Sequence, residues 1–177
     1  RLFTLAGYSA EEAAEAAKTV IDLETEIAKV SVDRATRRDV HKNYNKMTVK
    51  EFTSRFDFID WEVFFKETGI CKSEELNASQ VTFFEGLTKL LKNVSLEDQK
   101  DYLAFKLLNS AANYLSDDFV NASFDFYGKA LQGKEENQPR WKSSLAVVNR
   151  SLAEAFGQMY VEKYFPASSK EKMLEMV

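Results

Sequence analysis

The sequence predicts a mostly α protein, a single multi-helix domain with room for one short extended segment. Three observations carry that reading. Only two Pro and six Gly interrupt the 177 residues, so long helices can run unbroken. Apolar residues recur at three- and four-residue spacings, the period of one helix face. Ser or Thr repeatedly stands three residues ahead of Glu or Asp, the pattern of a capped helix start. A hydrophobic content of 45% with 13% aromatic residues argues against disorder and supplies a core for one domain spanning residues 1–177.

Ser9 and Glu12 form the first capping-box pattern. After it, Ala13, Ala17, Val20, Leu23, Ile27 and Val30 make one apolar stripe of a helix from Ala10 to Val30, with Glu and Lys on the other side. Val32 to Asn45 is basic and polar, with Arg34, Arg37, Arg38 and Lys42, and reads as a loop or a broken helical turn. Thr48 and Glu51 repeat the capping box and open a short helix to Arg55 or Phe56. Asp60 caps Trp61 to Thr68, and Gly69 stops it. Ser79-Gln80-Val81-Thr82-Phe83 nearly alternates β-branched and aromatic residues and is the candidate extended segment. Helix resumes from Phe84 to Leu91, Ser95 with Asp98 opens another to Ser116, and Asp117 or Asp118 begins the next, ended by Gly133. Lys134 to Gln138 is loop. Pro139 suits a first helical turn, and the longest late helix runs from there to about Phe165. Its stripe of Trp141, Leu145, Val148, Leu152 and Phe156 should bury Trp141. Pro166 breaks this helix, and Ser168 or Ser169 caps a final one. Both chain ends fall inside helical text, so Leu2–Tyr8 and Met173–Val177 are expected to be frayed or paired with another copy.

The chemistry-bearing residues are sparse. A net charge of −4 argues against nucleic acid as a partner; the basic run from Arg34 to Lys50 reads as an Arg38–Asp39 pair plus solvated charge. No apolar run approaches the roughly 20 residues a membrane helix needs. Cys71 is alone, which precludes an intrachain disulfide and a thiolate zinc site. Lys72 would lower its thiol pKa, but no histidine lies near it in sequence. His41 sits among Arg37, Arg38 and Lys42, whose charges repel a metal ion, and no second His exists to share one. Glu11/Glu15, Glu24/Glu26, Asp117/Asp118 and Glu135/Glu136 fall on helix exteriors, caps or loops, where solvation and the helix dipole account for them. No catalytic and no metal-ligating residue is assigned. Four Asn-x-Ser sequons, at Asn77, Asn93, Asn121 and Asn149, would carry glycans only in a eukaryotic secretory host.

Two stretches carry a family resemblance. One is Arg38-Asp39-Val40-His41-Lys42-Asn43-Tyr44-Asn45-Lys46-Met47-Thr48. The other runs from Pro139-Arg140-Trp141-Lys142 to Gly157-Gln158-Met159-Tyr160-Val161-Glu162-Lys163-Tyr164-Phe165. With the acidic helix around Leu23 to Ala28, the Asp60-Trp61 segment and the Tyr102-Leu103 helix in the same order, the chain resembles the N-terminal helical region of the neprilysin / endothelin-converting-enzyme family of zinc metallopeptidases. The resemblance covers essentially the whole chain. It implies a portion of a larger zinc metalloendopeptidase: a non-catalytic helical domain that faces a zinc catalytic domain across a closed chamber and restricts peptide access. The H-E-x-x-H zinc motif needs two histidines, and this chain has one, so by resemblance the zinc belongs to the parent protein and this segment is inactive. The implied partners are the parent's zinc catalytic domain and its peptide substrates. The implied location is extracytoplasmic: periplasmic, cell-surface or secreted. Arg38, Tyr44, Asn45, Arg140, Trp141, Tyr160 and Phe165 match family motif positions and read as structural. Vertebrate members carry Cys where this chain has Ser144, which points to a bacterial-type member. The alternative is a free-standing helical binding module without enzymatic activity. A downstream H-E-x-x-H in the same reading frame decides for the peptidase.

Overall fold

The computed structural model describes residues 1–69 and 73–176. The protein is mostly α. Among the described residues, ten α-helices accompany one two-stranded antiparallel sheet. The chain divides into two compact units, Arg1–Ser123 and Phe124–Val177.

In the first unit, helix starts follow the capping chemistry of the sequence. The Ser9 hydroxyl accepts the Glu12 N–H at 3.2 Å and Glu12 returns a carboxylate to the Ser9 N–H at 2.8 Å, opening α2 (Ala10–Val30). Thr48 and Glu51 make the same reciprocal pair ahead of α3 (Val49–Arg55). These bonds hold the Glu12 and Glu51 carboxyls below their ordinary range. Asp60 accepts the Glu62 and Val63 N–H groups to start α4 (Trp61–Glu67), and Ser95 accepts that of Asp98 to start α6 (Leu96–Ala111). Gly69 follows α4 with φ 69°, the left-handed stop that the sequence indicates.

Two small cores result. The first joins α1 (Leu2–Leu5), α2 and α6. Phe3, Ala13, Ala16 and Val20 are buried, packed by Tyr8, Tyr102, Phe105 and Leu108. The inward stripe uses Ala16 where the sequence suggests Ala17, which is exposed. The buried positions 13, 16, 20 and 23 thus follow the tighter three–four alternation of a helix–helix seam. The N-terminal stretch is anchored, contrary to expectation. Phe3 lies 5.0 Å from the Tyr8 ring and 6.3 Å from that of Phe105, so aromatic burial fixes a helix too short to hold itself.

The second core buries Phe52, Phe56 and Ala78 beneath Trp61, Phe58 and Phe84. Phe52 meets Trp61 edge-on at 4.8 Å and Phe84 at 5.2 Å, and the Trp61 indole N–H donates to the Phe56 carbonyl. The extended structure lies elsewhere than the sequence suggests. β1 (Lys46–Thr48) pairs with β2 (Glu75–Asn77), Met47 opposite Leu76, whereas Ser79-Gln80 form a turn and Val81 already begins α5 (Val81–Lys92). Val81 and Phe84, three residues apart, both pack on this core; a helix presents that pair on one face, and a strand alternation would have split them. Within α5, Gly86 lies against α2: a Cβ there would come within 2.6 Å of Val30 Cβ. α6 continues as a 3-10 turn, Ala112–Tyr114, and α7 (Asp117–Ser123) completes this unit.

The second unit begins with a π-helical stretch, Phe124–Ala130, and Gly133 ends that region at φ 67°. The long late helix is divided. Leu152 leaves helical geometry (φ −123°, ψ 28°) and separates α8 (Arg140–Ser151) from α9 (Ala153–Tyr164). Pro139 stands just outside α8 as its N-cap, with ψ 142°, one position earlier than its sequence role. α10 (Ala167–Glu175) starts behind the extended Pro166, with no Ser cap. No residue of α8, α9 or α10 is buried. Trp141 is 63% exposed, correcting the expected burial: among the described residues α8 buries none of its side chains, and the Trp141 ring carries the Lys142 ammonium at 5.5 Å. Met173 and Leu174 lie within α10, not in a frayed end, and with Met176 they are exposed.

This distribution fixes a contrast. In urea melts of residues 1–177, Phe56→Ala should cost about 3–5 kcal/mol, as for buried aromatic truncations. Trp141→Ala should cost less than about 1 kcal/mol, as for surface changes.

Candidate functional site

The motif segment between α2 and β1, residues 32–45, is a loop braced by its own side chains. Asp33 accepts the Ala35 and Thr36 N–H groups at 2.9 and 3.0 Å and the Thr36 hydroxyl at 2.6 Å. The Thr36 bonds hold the Asp33 carboxyl below its ordinary range. Asp39 accepts the N–H groups of His41 and Lys42. Its ion pair is with Lys42 at 3.8 Å, where the sequence suggested Arg38. Asn43 donates to the Thr36 and Arg37 carbonyls. The loop is tied to β2 by asparagines: the Asn45 N–H donates to Asn77 Oδ1 at 2.6 Å, and Asn77 Nδ2 donates to the Asn43 carbonyl at 3.0 Å. A cleft of about 260 Å³ opens beside it, lined by Thr36, Lys42, Asn43, Asn45 and Gln80 among others.

The motif residues separate into two groups. Arg38 ends a 3-10 turn and is exposed, Tyr44 is exposed, and Asn45 is half-buried in the asparagine tie. Arg140 and Trp141 open α8 in the second unit. Tyr160 is exposed on α9 with its ring 5.2 Å from that of Tyr164, and Phe165 is half-buried directly after α9. Asn45 uses its side chain as well: its Nδ2 donates to the Lys42 carbonyl at 2.7 Å.

His41 is exposed on the loop. Cys71 and Lys72 lie outside the described residues. Among the described residues no group of three His, Cys, Asp or Glu side chains is placed to hold a metal ion. The Glu24/Glu26 pair diverges. Glu26 meets Lys29 on its own helix, whereas Glu24 accepts the Tyr102 hydroxyl at 2.9 Å and the Lys106 ammonium at 3.2 Å, clasping α2 to α6. Burial first, and then this carboxylate, push the Tyr102 phenol above its ordinary 10.0; the hydrogen bond to Glu24 raises Lys106 above 10.5. The sequence held half of this signal. Tyr102 and Lys106 are one turn apart on a helix, but nothing local names a partner 78 residues away. The network is an interhelical clasp between α2 and α6.

The family model for peptidase family M13 matches residues 1–177. The chain belongs to peptidase family M13. It is 29% identical over 175 residues to mouse membrane metallo-endopeptidase-like 1, covering 94% of this chain and 22% of that protein. It is 27% identical to the neutral endopeptidase of Lactobacillus helveticus, covering 99% of this chain and 27% of that one. Its fold superposes on the zinc metalloprotease Zmp1 of Mycobacterium tuberculosis in its open state with a TM-score of 0.85 at 27% identity, over 97% of this chain and 27% of that one. The neprilysin-type resemblance of the sequence is therefore correct, and the chain spans about a quarter of the length of these relatives.

Two outcomes follow from this geometry. Asn77→Ala should release the motif loop: amide exchange at residues 43–46 should accelerate, with a stability loss of roughly 1–3 kcal/mol from the orphaned loop groups. The clasp sets an alkaline limit. A phenol with a raised pKa contributes stability that is complete below its ordinary value and lost as pH rises through the raised one; the raised Lys106 ammonium acts in the same direction. The urea midpoint should fall as pH rises through and above the ordinary phenol value of about 10, and Tyr102→Phe should reduce that fall.

Proposed function

We propose that residues 1–177 act as one non-catalytic helical domain of a zinc metalloendopeptidase, setting which peptides reach a zinc catalytic domain outside this segment. One observation carries the reading: a match to the peptidase family along the entire chain, in a segment with a single histidine that spans about a quarter of its relatives. Hydrolysis by a metallopeptidase needs a metal-activated water, and the described residues of this segment offer no ligand set for the ion. The zinc thus belongs to the parent protein, where ligands elsewhere in the chain hold it. What this part supplies is shape and packing: a helical body stiffened by two aromatic cores, and a loop pinned by asparagines. The motif residues Arg38, Tyr44, Asn45, Arg140, Trp141, Tyr160 and Phe165 serve fold and interdomain contact. By the same reading the substrates are peptides and the site of action is extracytoplasmic. Among the described residues no helix is long and apolar enough to cross a membrane.

Purified residues 1–177 should neither cleave a fluorogenic peptide nor bind zinc at one equivalent in calorimetry. The full-length enzyme should cleave short peptides while sparing the same sequence displayed on a folded carrier protein. Chelator-sensitive cleavage by the segment, or equal cleavage of both substrates by the full enzyme, would sink the proposal.

A further inference from the structure

Residues 31–50 hold six of the chain's cations and two of its acids, in a chain of net charge −4. Both acids face the backbone. Asp33 accepts the Ala35 and Thr36 N–H groups, and Asp39 those of His41 and Lys42. Among the described residues no carboxylate pairs with Arg34, Arg37 or Arg38, and all three are exposed. Arg34 and Arg37 stand three residues apart on the approach to and within the 3-10 turn Thr36–Arg38, a spacing that sets side chains above one another. Asn43 donates to the Thr36 and Arg37 carbonyls, folding the next turn, with Val40 and Lys42, back against theirs. Val40 is 77% exposed.

We propose that this loop docks on an anionic phospholipid membrane, with Arg34, Arg37 and Lys42 on headgroup phosphates and Val40 as an apolar tip. A guanidinium without an internal carboxylate can take two phosphate oxygens at once, in the fork geometry that suits it. Val40 favours a lipid surface over a purely ionic polymer, because only the former offers an apolar layer beneath its charges. The net negative charge of the chain does not forbid this contact. At physiological ionic strength, charges farther than about 8 Å are largely screened, so the local sign of the loop meets the surface. The side-chain bonds that brace the loop also hold its cations in place before contact, which lowers the cost of ordering them. The contact goes beyond peptide selection and takes from the peptidase reading only its extracytoplasmic location.

Co-sedimentation of the full-length protein with vesicles, in the absence of any peptide, tests this. Phosphatidylglycerol vesicles should retain the protein and phosphatidylcholine vesicles should not, and retention should fall as salt rises. Arg34→Gln with Arg37→Gln should lower the partition coefficient at least about tenfold. Lys66→Gln with Lys100→Gln removes the same charge at exposed lysines elsewhere and should lower it less than about twofold. Val40→Ser should weaken retention at high salt, where the apolar contact remains. Circular dichroism melts check that each variant is folded. Equal retention on the two lipids overturns the proposal, as does an equal loss in the two double variants. Binding to heparin without retention on phosphatidylglycerol overturns it in favour of an anionic polymer. Vesicle retention is read apart from peptide cleavage, so failure here leaves gating untouched.

Discussion

The packing of α2 against α6 is the constraint on which the first unit depends. Ala13 and Ala16 are small, so α6 can approach closely enough for Tyr102, Phe105 and Leu108 to reach the seam, and Phe3 closes its end. That apolar contact has no intrinsic register. Glu24 supplies one by accepting both the Tyr102 hydroxyl and the Lys106 ammonium, and the Thr19 hydroxyl reaches Asp98 at 3.3 Å farther along the seam. A slip of one turn would break the Glu24 pair and leave Tyr102, partly withdrawn from water, without its acceptor.

α2 also fixes α5, through the close approach at Gly86 and Val30. α5 in turn brings Phe84 into the aromatic cluster that holds α3 and α4. The motif loop between α2 and β1 therefore spans two points that are already set. Its backbone has no ladder of its own over most of its length, so Asp33, Asp39, Asn43 and Asn77 satisfy its amides and carbonyls instead.

What was legible in the sequence was local. Ser9–Glu12, Thr48–Glu51, Asp60 and Ser95–Asp98 start helices where their chemistry says, because a cap needs only residues within one turn. What failed depended on distance. Val81 to Phe83 has strand-like composition, but the face it shares with Phe84 toward the Phe52–Phe56 cluster makes it helical. The Ala16 choice on α2 and the Glu24 clasp both depend on α6, about 80 residues away. Phe3 looked like the loose end of a truncated helix because its partners, Tyr8 and Phe105, lie across a turn and a domain.

The stripe on α8 and α9 is the informative failure. Its spacing holds from Trp141 to Val148 on α8 and breaks at Leu152, where the expected single helix divides, and its burial does not occur, since periodicity marks one face of a helix and says nothing about what covers it. α6 shows the same division within one helix. Tyr102, Phe105 and Leu108 pack inward, while Leu103 and Leu107 remain largely exposed on the other side. A helix apolar on both sides belongs in the interior of a larger body. Exposed apolar side chains on α6 and on α8 and α9 thus mark the helix faces that packing among the described residues leaves open.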